Sequence, residues 1–327
     1  MAVISYIDAV IMAIREEMER DSRVFVLGED VGKKGGVFKA TTGLYEQFGE
    51  QRVIDTPLAE SAIAGVGIGA AMYGMRPIAE MQFADFIMPA INQIISEAAK
   101  IRYRSNNDWQ CPIVIRAPYG GGVHGALYHS QSVEAIFANQ PGLKIVMPST
   151  PYDVKGLLKA AIRDEDPVLF FEHKRAYRLI KEEVPTDDYV LPIGKADVKR
   201  YGEDVTVITY GLCVHFALQA AEKLASDGIS VYILDLRTIY PLDQEAIIEA
   251  ACKTGKVLLI TEDNKEGSII SEVSAIIAEN CLFDLDAPIM RLAGPDVPAM
   301  PYSPPLEKSF MVNPEKVEKA LRDLAAY

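Results

Sequence analysis

Hydrophobic residues recur at helical spacing in the first twenty positions of the chain. The apolar positions that share one face are Ile7, Val10, Ile11, Ile14 and Met18. A stripe at i, i+3, i+4 and i+7 is typical of a helix that buries one side. Ser5 precedes the stripe as the predicted N-cap, and Asp8 lies in the first turn, where a carboxylate interacts favourably with the helix dipole. The pattern predicts a surface helix that begins after Ser5.

Short runs rich in β-branched residues alternate with longer helical patterns through the rest of the chain. The predicted strands are residues 24–27, 52–55, 77–81, 113–116, 144–147, 168–171, 205–210, 230–234, 257–261 and 289–292. The predicted helices of the second half are residues 214–226, 243–253 and 268–280, with Gly228 at the C-cap of the first. This alternation predicts an α/β fold with mostly parallel sheets covered by helices.

The chain length favours two domains, because 327 residues exceed what one hydrophobic core usually supports. A polar stretch without periodicity, residues 180–194, interrupts the alternation of strands and helices. We therefore predict a first domain at residues 1–185, a linker at residues 186–203 and a smaller α/β domain at residues 204–327.

Charge and cysteine content exclude several classes of function. A formal net charge of -13 would repel nucleic acid and an anionic membrane surface. The four cysteines are far apart and include no C-x-x-C pair, so neither a disulfide framework nor a zinc site is predicted. Acidic residues near the N-terminus exclude a signal peptide, and no apolar stretch is long enough to span a membrane. A cytoplasmic protein fits these features best.

Residues 55–71 place one carboxylate, Glu60, at the start of an apolar, glycine-rich helix. We expect Glu60 to be buried, a state that would raise its pKa and suit a group that hydrogen-bonds a ring nitrogen. The alternative is that Glu60 complements the dipole of an exposed helix N-terminus. The segment also satisfies the dinucleotide fingerprint G-x-G-x-x-A from Gly65 to Ala70, but the preceding strand ends ten positions earlier at Asp55. These glycines are therefore interpreted as sites of close helix packing.

Two further segments follow predicted strands, at the end where open α/β sheets bind ligands. One contains Gln82, Phe83 and Phe86, whose rings could stack on a flat heterocycle or belong to the core. The other, residues 119–131, is a glycine-rich loop with His124 and His129. Each histidine could transfer a proton, hold a substrate carboxylate or make a structural hydrogen bond. Their spacing does not match the helical zinc pair.

No phosphate-binding motif accompanies these segments. A diphosphate with magnesium needs a loop of backbone donors together with oxygen ligands. Neither a P-loop nor a Gly-Asp-Gly segment followed by an asparagine occurs in the chain. The residues therefore indicate only one half of a ligand site.

Several stretches together resemble the β subunits of 2-oxo acid dehydrogenase decarboxylase components, above all the branched-chain type. The matching stretches are GEDVGKKGGVF (28–38), DTPLAE (55–60), QFADF (82–86), HGALYHSQ (124–131) and LDLRTIYP (234–241). The resemblance implies a transketolase-like pyrimidine-binding domain followed by a transketolase-type C-terminal domain. It also implies an α2β2 heterotetramer with an α subunit, and reductive acylation of a lipoyl group on an acyltransferase core.

The resemblance assigns roles to individual residues. Glu60 matches the glutamate that hydrogen-bonds the aminopyrimidine ring of thiamin diphosphate, and His129 matches a histidine at the decarboxylation and acyl-transfer chemistry. Leu58, Gln82 and Phe86 match positions that line the pyrimidine pocket. The ligands of the diphosphate and of magnesium belong to the α subunit, in agreement with the missing motif.

The resemblance also bears on a cation and on the substrate. Some related chains bind a monovalent cation, potassium, at positions that match Ala161, Asp164 and Asp166, although Asp166 replaces an asparagine of that pattern. The stretch around His129 favours a branched-chain 2-oxo acid substrate over pyruvate. Two alternatives stay open: a pyruvate dehydrogenase β subunit, and the non-catalytic β subunit of an electron-transfer flavoprotein, in which Glu60 and His129 would have no role.

Overall fold

A computed structural model describes residues 1–327, which separate into two units. The first unit contains Met1–Tyr119 and Ile136–Ile193, and the second contains Gly120–Ala135 and Gly194–Tyr327. The domain boundaries inferred from the sequence stay a prediction. The loop Gly120–Ala135 follows a strand of the first unit in sequence but belongs to the second unit by its contacts. The structure contains no helix with the length and apolar character needed to cross a membrane.

Strands and helices alternate from the N-terminus to Ile193. In chain order they are β1 (Ala2–Ser5), α1 (Tyr6–Arg20), β2 (Val24–Gly28), α2 (Leu44–Phe48), β3 (Val53–Asp55), α3 (Glu60–Met72), β4 (Arg76–Glu80), α4 (Ile101–Arg104), β5 (Val114–Tyr119), α5 (Glu134–Ala138), β6 (Lys144–Val146), α6 (Pro151–Arg163), β7 (Val168–His173), α7 (Ala176–Leu179) and β8 (Lys181–Val184). The predicted helix cap is confirmed, because Asp8 N donates to Ser5 Oγ at 3.3 Å and Ser5 N donates to Asp8 Oδ2 at 3.2 Å. The predicted strands of this part are confirmed to within about three residues.

The strands of the first unit form a parallel sheet in the order β6-β7-β5-β4-β2-β3. Strands β2, β4, β5 and β7 are buried along their whole length, as expected for a parallel sheet with both faces covered. The chain passes from β2 to β3 on one side and then to β4 on the other. Strand β2 therefore marks a switch point, beside which α/β sheets bind ligands at the carboxyl ends of their strands.

Two short strands of this part differ from the sequence-based prediction. Strand β1 pairs with β8 in antiparallel orientation, and β8 lies inside the polar stretch that was interpreted as irregular. Its sequence, Lys-Glu-Glu-Val, has three charged residues and one apolar residue. Backbone pairing with β1 stabilises this strand, so its side chains need not alternate between polar and apolar residues. Without that alternation the strand could not be predicted from its sequence.

The second unit contains a smaller sheet with helices against it. Its elements from Gly194 onward are β9 (Asp197–Arg200), β10 (Val205–Thr209), α8 (Leu212–Ala225), β11 (Val231–Asp235), β12 (Thr238–Tyr240), α9 (Gln244–Thr254), β13 (Val257–Asn264), α10 (Ile269–Cys281), β14 (Met290–Gly294), α11 (Pro304–Phe310) and α12 (Pro314–Ala325). The strand order is β14-β13-β10-β11-β9, parallel except for β9 against β11. The predicted α/β fold class is confirmed in both units. Strand β9 lies in the range that is predicted to be a linker. Its half-buried residues do not alternate in polarity, so the sequence pattern does not indicate a strand there.

A buried guanidinium joins three neighbouring strands of the first sheet. Arg116 on β5 donates to Glu172 on β7 through Nε and Nη2, at 2.6 and 2.7 Å, and to Glu80 on β4 through Nη1 at 2.7 Å. Tyr177 OH donates to Glu172 at 2.6 Å. Burial raises the pKa of Glu80, and the positive charge of Arg116 opposes that rise. The cluster fixes the ends of β4, β5 and β7 relative to each other.

Replacing Arg116 with methionine should destabilise the fold, because Glu80 and Glu172 would stay buried without their cation. Removing one side of a buried ion pair costs about 3–5 kcal/mol, and we expect the free energy of unfolding in urea to fall by that amount. The triple variant Arg116→Met, Glu80→Gln, Glu172→Gln removes the orphaned charges and should recover most of the loss. A cost below about 1 kcal/mol, as for an exposed ion pair, would contradict this role.

Candidate active site

Three polar segments meet at the carboxyl edge of the first sheet. Glu29 follows β2, Glu60 begins α3 after β3, and Gln82 follows β4. Because β2 lies between β3 and β4 in a parallel arrangement, the segments that leave these strands share one edge. Gln82 Nε2 lies 3.5 Å from Asp30 Oδ2, so the segments after β4 and β2 are in contact. Two of the predicted site residues, Glu60 and Gln82, thus lie at the same edge of the sheet.

Glu29 is a candidate site residue that the sequence pattern did not indicate. It is 3% exposed, and neither of its carboxylate oxygens has a hydrogen-bond partner. Burial raises the pKa of Glu29 to about 7, and the nearby carboxylates of Glu60 and Asp30 raise it further. The available signal was its place directly after a fully apolar strand at the ligand-binding end of a sheet. An unpaired buried acid at such a place is a candidate functional group.

Glu60 occupies the first position of α3, as predicted, but it is half-buried rather than buried. Its neighbour Leu58 is 79% exposed, so this corner of the site is open in the isolated chain. Ala59, the N-cap residue, makes no side-chain cap. The carboxylate of Glu60 is therefore placed both to complement the helix dipole and to reach a group outside the chain.

The packing predicted for the glycines of α3 is confirmed at one position only. A Cβ atom at Gly67 would lie 2.8 Å from Ile113 Cδ1, so the helix approaches the sheet closely there. At Gly65 the nearest atom would be 3.9 Å away, and at Gly69 no atom lies within 4 Å. The prediction was wrong for these two residues, because they lie on the exposed face of the helix.

Aromatic rings line the segment after β4. The rings of Phe83 and Phe86 meet edge to face with their centroids 5.6 Å apart, and Phe38 packs on Phe83 at 5.2 Å. Phe86 is half-buried, as is Gln82. The cluster therefore supports Phe86 from behind while part of its ring is accessible, an arrangement suited to a flat ring that stacks on it.

The glycine-rich loop of the second unit is held by two buried carboxylates. Glu307 Oε1 accepts from Gly122 N at 3.1 Å and from His124 N at 3.2 Å, and its Oε2 lies 2.6 Å from His124 Nδ1. Glu262 Oε1 accepts from Gly121 N at 2.6 Å. His124 thus makes a side-chain contact with Glu307, which its structural interpretation requires. Both carboxylates come from positions about 140 or more residues further along the chain.

His129 lies on the same loop and is half-buried. A Cβ atom at Gly125 would lie 2.6 Å from the carbonyl oxygen of His129, so the loop can turn back on itself only with glycine at this position. His129 belongs to the second unit and Glu60 to the first. The role of His129 therefore stays a prediction.

Two further acids, the buried Glu134 and the half-buried Asp263, lie near the base of this loop. Tyr210 OH is within 2.7 Å of both Glu134 Oε1 and Thr261 Oγ1. Burial raises the pKa of Glu134, and the neighbouring carboxylate of Asp263 raises it further. Burial likewise raises the pKa of Asp263 to about 6. The loop is therefore anchored in a region of the second unit where carboxylates are desolvated and close together.

Comparison with known proteins agrees with this geometry. Residues 2–180 match the transketolase pyrimidine-binding domain, and residues 194–317 match the transketolase C-terminal domain. The chain is 85% identical over 327 residues to 2-oxoisovalerate dehydrogenase subunit beta of Bacillus subtilis (strain 168), with 100% of each chain covered. The chain belongs to the 2-oxo acid dehydrogenase β-subunit family. This assignment replaces the electron-transfer flavoprotein alternative.

Two further similar proteins are more distant than the 2-oxoisovalerate dehydrogenase subunit. The chain is 48% identical over 303 residues to the pyruvate dehydrogenase E1 component subunit beta of Bacillus subtilis (strain 168), with 93% of each chain covered. A solved structure described as a split gene transketolase, inactive beta4 tetramer, has a TM-score of 0.80 at 23% identity, with 99% and 98% of the two chains covered. That likeness confirms the predicted transketolase-like fold.

The edge residues of the first sheet fit the pyrimidine part of thiamin diphosphate. Glu60 offers a half-exposed carboxylate, Gln82 an amide, and Phe86 a supported ring face. The unpaired oxygens of Glu29 lie beside Glu60 in a buried setting. This set of groups can hydrogen-bond a ring nitrogen and an exocyclic amine while stacking on the ring.

The carboxylates predicted to bind a monovalent cation are paired with side-chain cations. Both oxygens of Asp164 accept from Lys144 Nζ at 2.7 Å, and Asp166 contacts Arg102 and, at 3.5 Å, Lys144. The carbonyl oxygen of Ala161 accepts from Asp164 N at 3.3 Å. The site stays a prediction, and Lys144 and Arg102 already supply the positive charge that a potassium ion would bring.

Replacing Glu29 with glutamine should stabilise the chain in a pH-dependent manner. The pKa of Glu29 rises from 4.5 to about 7 on folding, so its contribution to stability is lost as the pH rises through that interval. We expect Glu29→Gln to exceed the wild type by on the order of 3 kcal/mol at about pH 8 and to match it near pH 4.5. Urea unfolding at both values measures this, with exposed Glu50→Gln as the control. An equal effect at both values would contradict a buried, titrating Glu29.

Replacing Glu307 with alanine should release the loop that carries His129. The part-buried hydrogen bonds from the amides of Gly122 and His124 would lose their acceptor, and a hydrogen bond to a charged group contributes about 1.5–3 kcal/mol. We expect hydrogen exchange of residues 121–125 to accelerate about tenfold or more, with partial rescue in Glu307→Gln. Exposed Glu315→Gln is the matched control, and unchanged exchange in Glu307→Ala would show that the loop is held by other contacts.

Proposed function

We propose that this chain is the β subunit of a branched-chain 2-oxo acid dehydrogenase decarboxylase component. The complex would oxidatively decarboxylate branched-chain 2-oxo acids in the cytoplasm and transfer the acyl group to a lipoyl group on an acyltransferase core. The observation that carries this proposal is the 85% identity, over the full length of both chains, to 2-oxoisovalerate dehydrogenase subunit beta. The pyruvate dehydrogenase relative is much less similar, at 48%.

In this proposal the first unit holds the pyrimidine ring. Glu60 hydrogen-bonds a ring nitrogen, and its negative charge adds to the rise in the pKa of the buried Glu29 carboxyl beside it. Leu58, Gln82 and Phe86 line the pocket around the ring. When bound, thiamin diphosphate supplies the electron sink for decarboxylation, and these residues supply orientation and electrostatics.

His129 would act on the substrate side of the same chemistry. Its imidazole can hold the substrate carboxylate or pass a proton during acyl transfer. The loop that carries it is positioned by Glu262 and Glu307, so the histidine is presented on a preorganised backbone rather than on a free loop.

The remaining half of the site would come from an α subunit in an α2β2 heterotetramer. No phosphate-binding motif occurs in the chain, so we propose that the α subunit binds the diphosphate and magnesium. The net charge of -13 favours a basic surface on the acyltransferase core as a further partner.

Decarboxylation assays test this proposal. The chain would be assayed alone and co-expressed with a candidate α subunit, using 3-methyl-2-oxobutanoate and pyruvate as substrates. We expect activity only in the mixture, a preference for the branched acid, and losses of about 100-fold or more in Glu60→Gln and His129→Ala. Exposed Glu50→Gln is the control variant. Activity of the chain alone would contradict the half-site, and preference for pyruvate would replace the substrate assignment.

A further inference from the structure

Two cysteines of the second unit lie against each other where α9 and α10 pack together. Cys252 lies in the last turns of α9, and Cys281 is the last residue of α10. Their Sγ atoms are 2.8 Å apart, although the residues are 29 positions apart in sequence. Both are free thiols. This contact is unrelated to the proposed thiamin chemistry, and the proposed function does not use it.

The distance between the two sulfur atoms is not far from that of a disulfide bond. A disulfide places its sulfur atoms about 2.0 Å apart, so the two Sγ atoms need to approach by less than about 1 Å. The thiols are weakly hydrogen-bonded apart from their mutual contact. Cys281 Sγ lies 3.6 Å from the carbonyl oxygen of Ile248, and Cys252 Sγ lies 3.8 Å from Asp284 Oδ2. Only a small movement of the two side chains would therefore be needed to convert the reduced pair of thiols into a disulfide.

The two thiols differ in access and in reactivity. Cys252 is half-buried and Cys281 is buried, so a small oxidant in solvent reaches Cys252 first. Burial raises the pKa of Cys281 to about 12, and its contact with Cys252 adds to the rise. The inner thiol is therefore kept protonated and unreactive until an electrophilic sulfur forms beside it. Such a pair matches the arrangement of an attacked and a resolving cysteine.

We propose that Cys252 and Cys281 form a peroxide-reactive modification site in which Cys252 is oxidised first and Cys281 resolves it. In the first step the Cys252 sulfur attacks one oxygen of hydrogen peroxide, the O–O bond breaks, and sulfenic acid and water form. In the second step the Cys281 sulfur attacks the sulfenic sulfur, an S–S bond forms, and hydroxide leaves with the thiol proton as water. Two thiols and one peroxide thus yield one disulfide and two waters.

The disulfide would close a covalent ring that contains β13 (Val257–Asn264). This strand carries Glu262, which accepts a hydrogen bond from the backbone of the His129 loop. Closing the ring restricts the unfolded chain, and forming it removes Cys252 from further oxidation to sulfinic acid. The pair would therefore protect and brace this part of the second unit under peroxide.

Peroxide titration of the full-length chain tests the site. After treatment with hydrogen peroxide, we expect the intact mass to fall by two hydrogen atoms, two of the four thiols to be lost, and a peptide linking Cys252 to Cys281 to appear. Dithiothreitol should reverse all three changes. The unfolding midpoint should be several degrees higher in the oxidised chain than in the reduced one.

Single variants separate the two roles. In Cys252→Ser no disulfide should form, and in Cys281→Ser a sulfenic acid at Cys252 should be trapped by dimedone and should proceed to sulfinic acid with excess peroxide. Cys111→Ser, at a buried position elsewhere, is the control and should form the disulfide normally. Circular dichroism would verify that each variant folds. Four intact thiols in the wild type at peroxide levels that oxidise a free dithiol, or accumulation of sulfinic acid at Cys252 without the linked peptide, would overturn the proposal.

Discussion

The first unit depends on the buried ion cluster centred on Arg116. Its guanidinium binds carboxylates on both neighbouring strands, so β4, β5 and β7 are tied together near their carboxyl ends. A charged cluster without solvent is tolerated only when each donor and acceptor is satisfied. That requirement fixes the register and spacing of the strands at the edge of the sheet. The proposed cofactor site is built on the segments that leave this edge.

Glu29 differs from the structural acids in one decisive respect. Glu80 and Glu172 are buried and form ion pairs with Arg116, whereas Glu29 is buried with both oxygens unpartnered. A buried carboxyl group without hydrogen-bond partners keeps its proton more readily than a solvated one. The pKa of Glu29 is therefore raised to about 7. Its place beside Glu60 makes these two acids candidate ligand contacts of the first unit.

Carboxylates of the second unit serve a different purpose. Glu262 and Glu307 accept hydrogen bonds from backbone amides of the His129 loop, so they determine the path of a segment rather than bind a ligand. The glycines of the loop permit that path, because a side chain at Gly125 would collide with His129. Carboxyl groups thus have different roles in the two units. In the first unit an unpaired acid is available for ligand contact, and in the second unit paired acids hold the loop in its conformation.

Much of the architecture could be predicted from the sequence, because it follows from local patterns. The alternation of apolar residues indicated the central strands, the Ser5 cap marked the start of α1, and the resemblance of short stretches identified the family and the position of Glu60. These signals are contained within one turn of helix, one strand or one loop. Residue type and spacing within a short segment are enough to predict a helix, a strand or a loop of this kind.

Features that depend on distant residues were decided by the tertiary structure. The burial of Glu29 depends on three strands that meet, the pairing of His124 with Glu307 joins residues 183 positions apart, and strand β9 exists because β11 offers it a partner. The exposure of Gly69 likewise depends on which side of α3 faces the sheet. Burial, charge pairing and edge pairing are properties of surfaces that meet only after the chain has folded, so no local pattern records them.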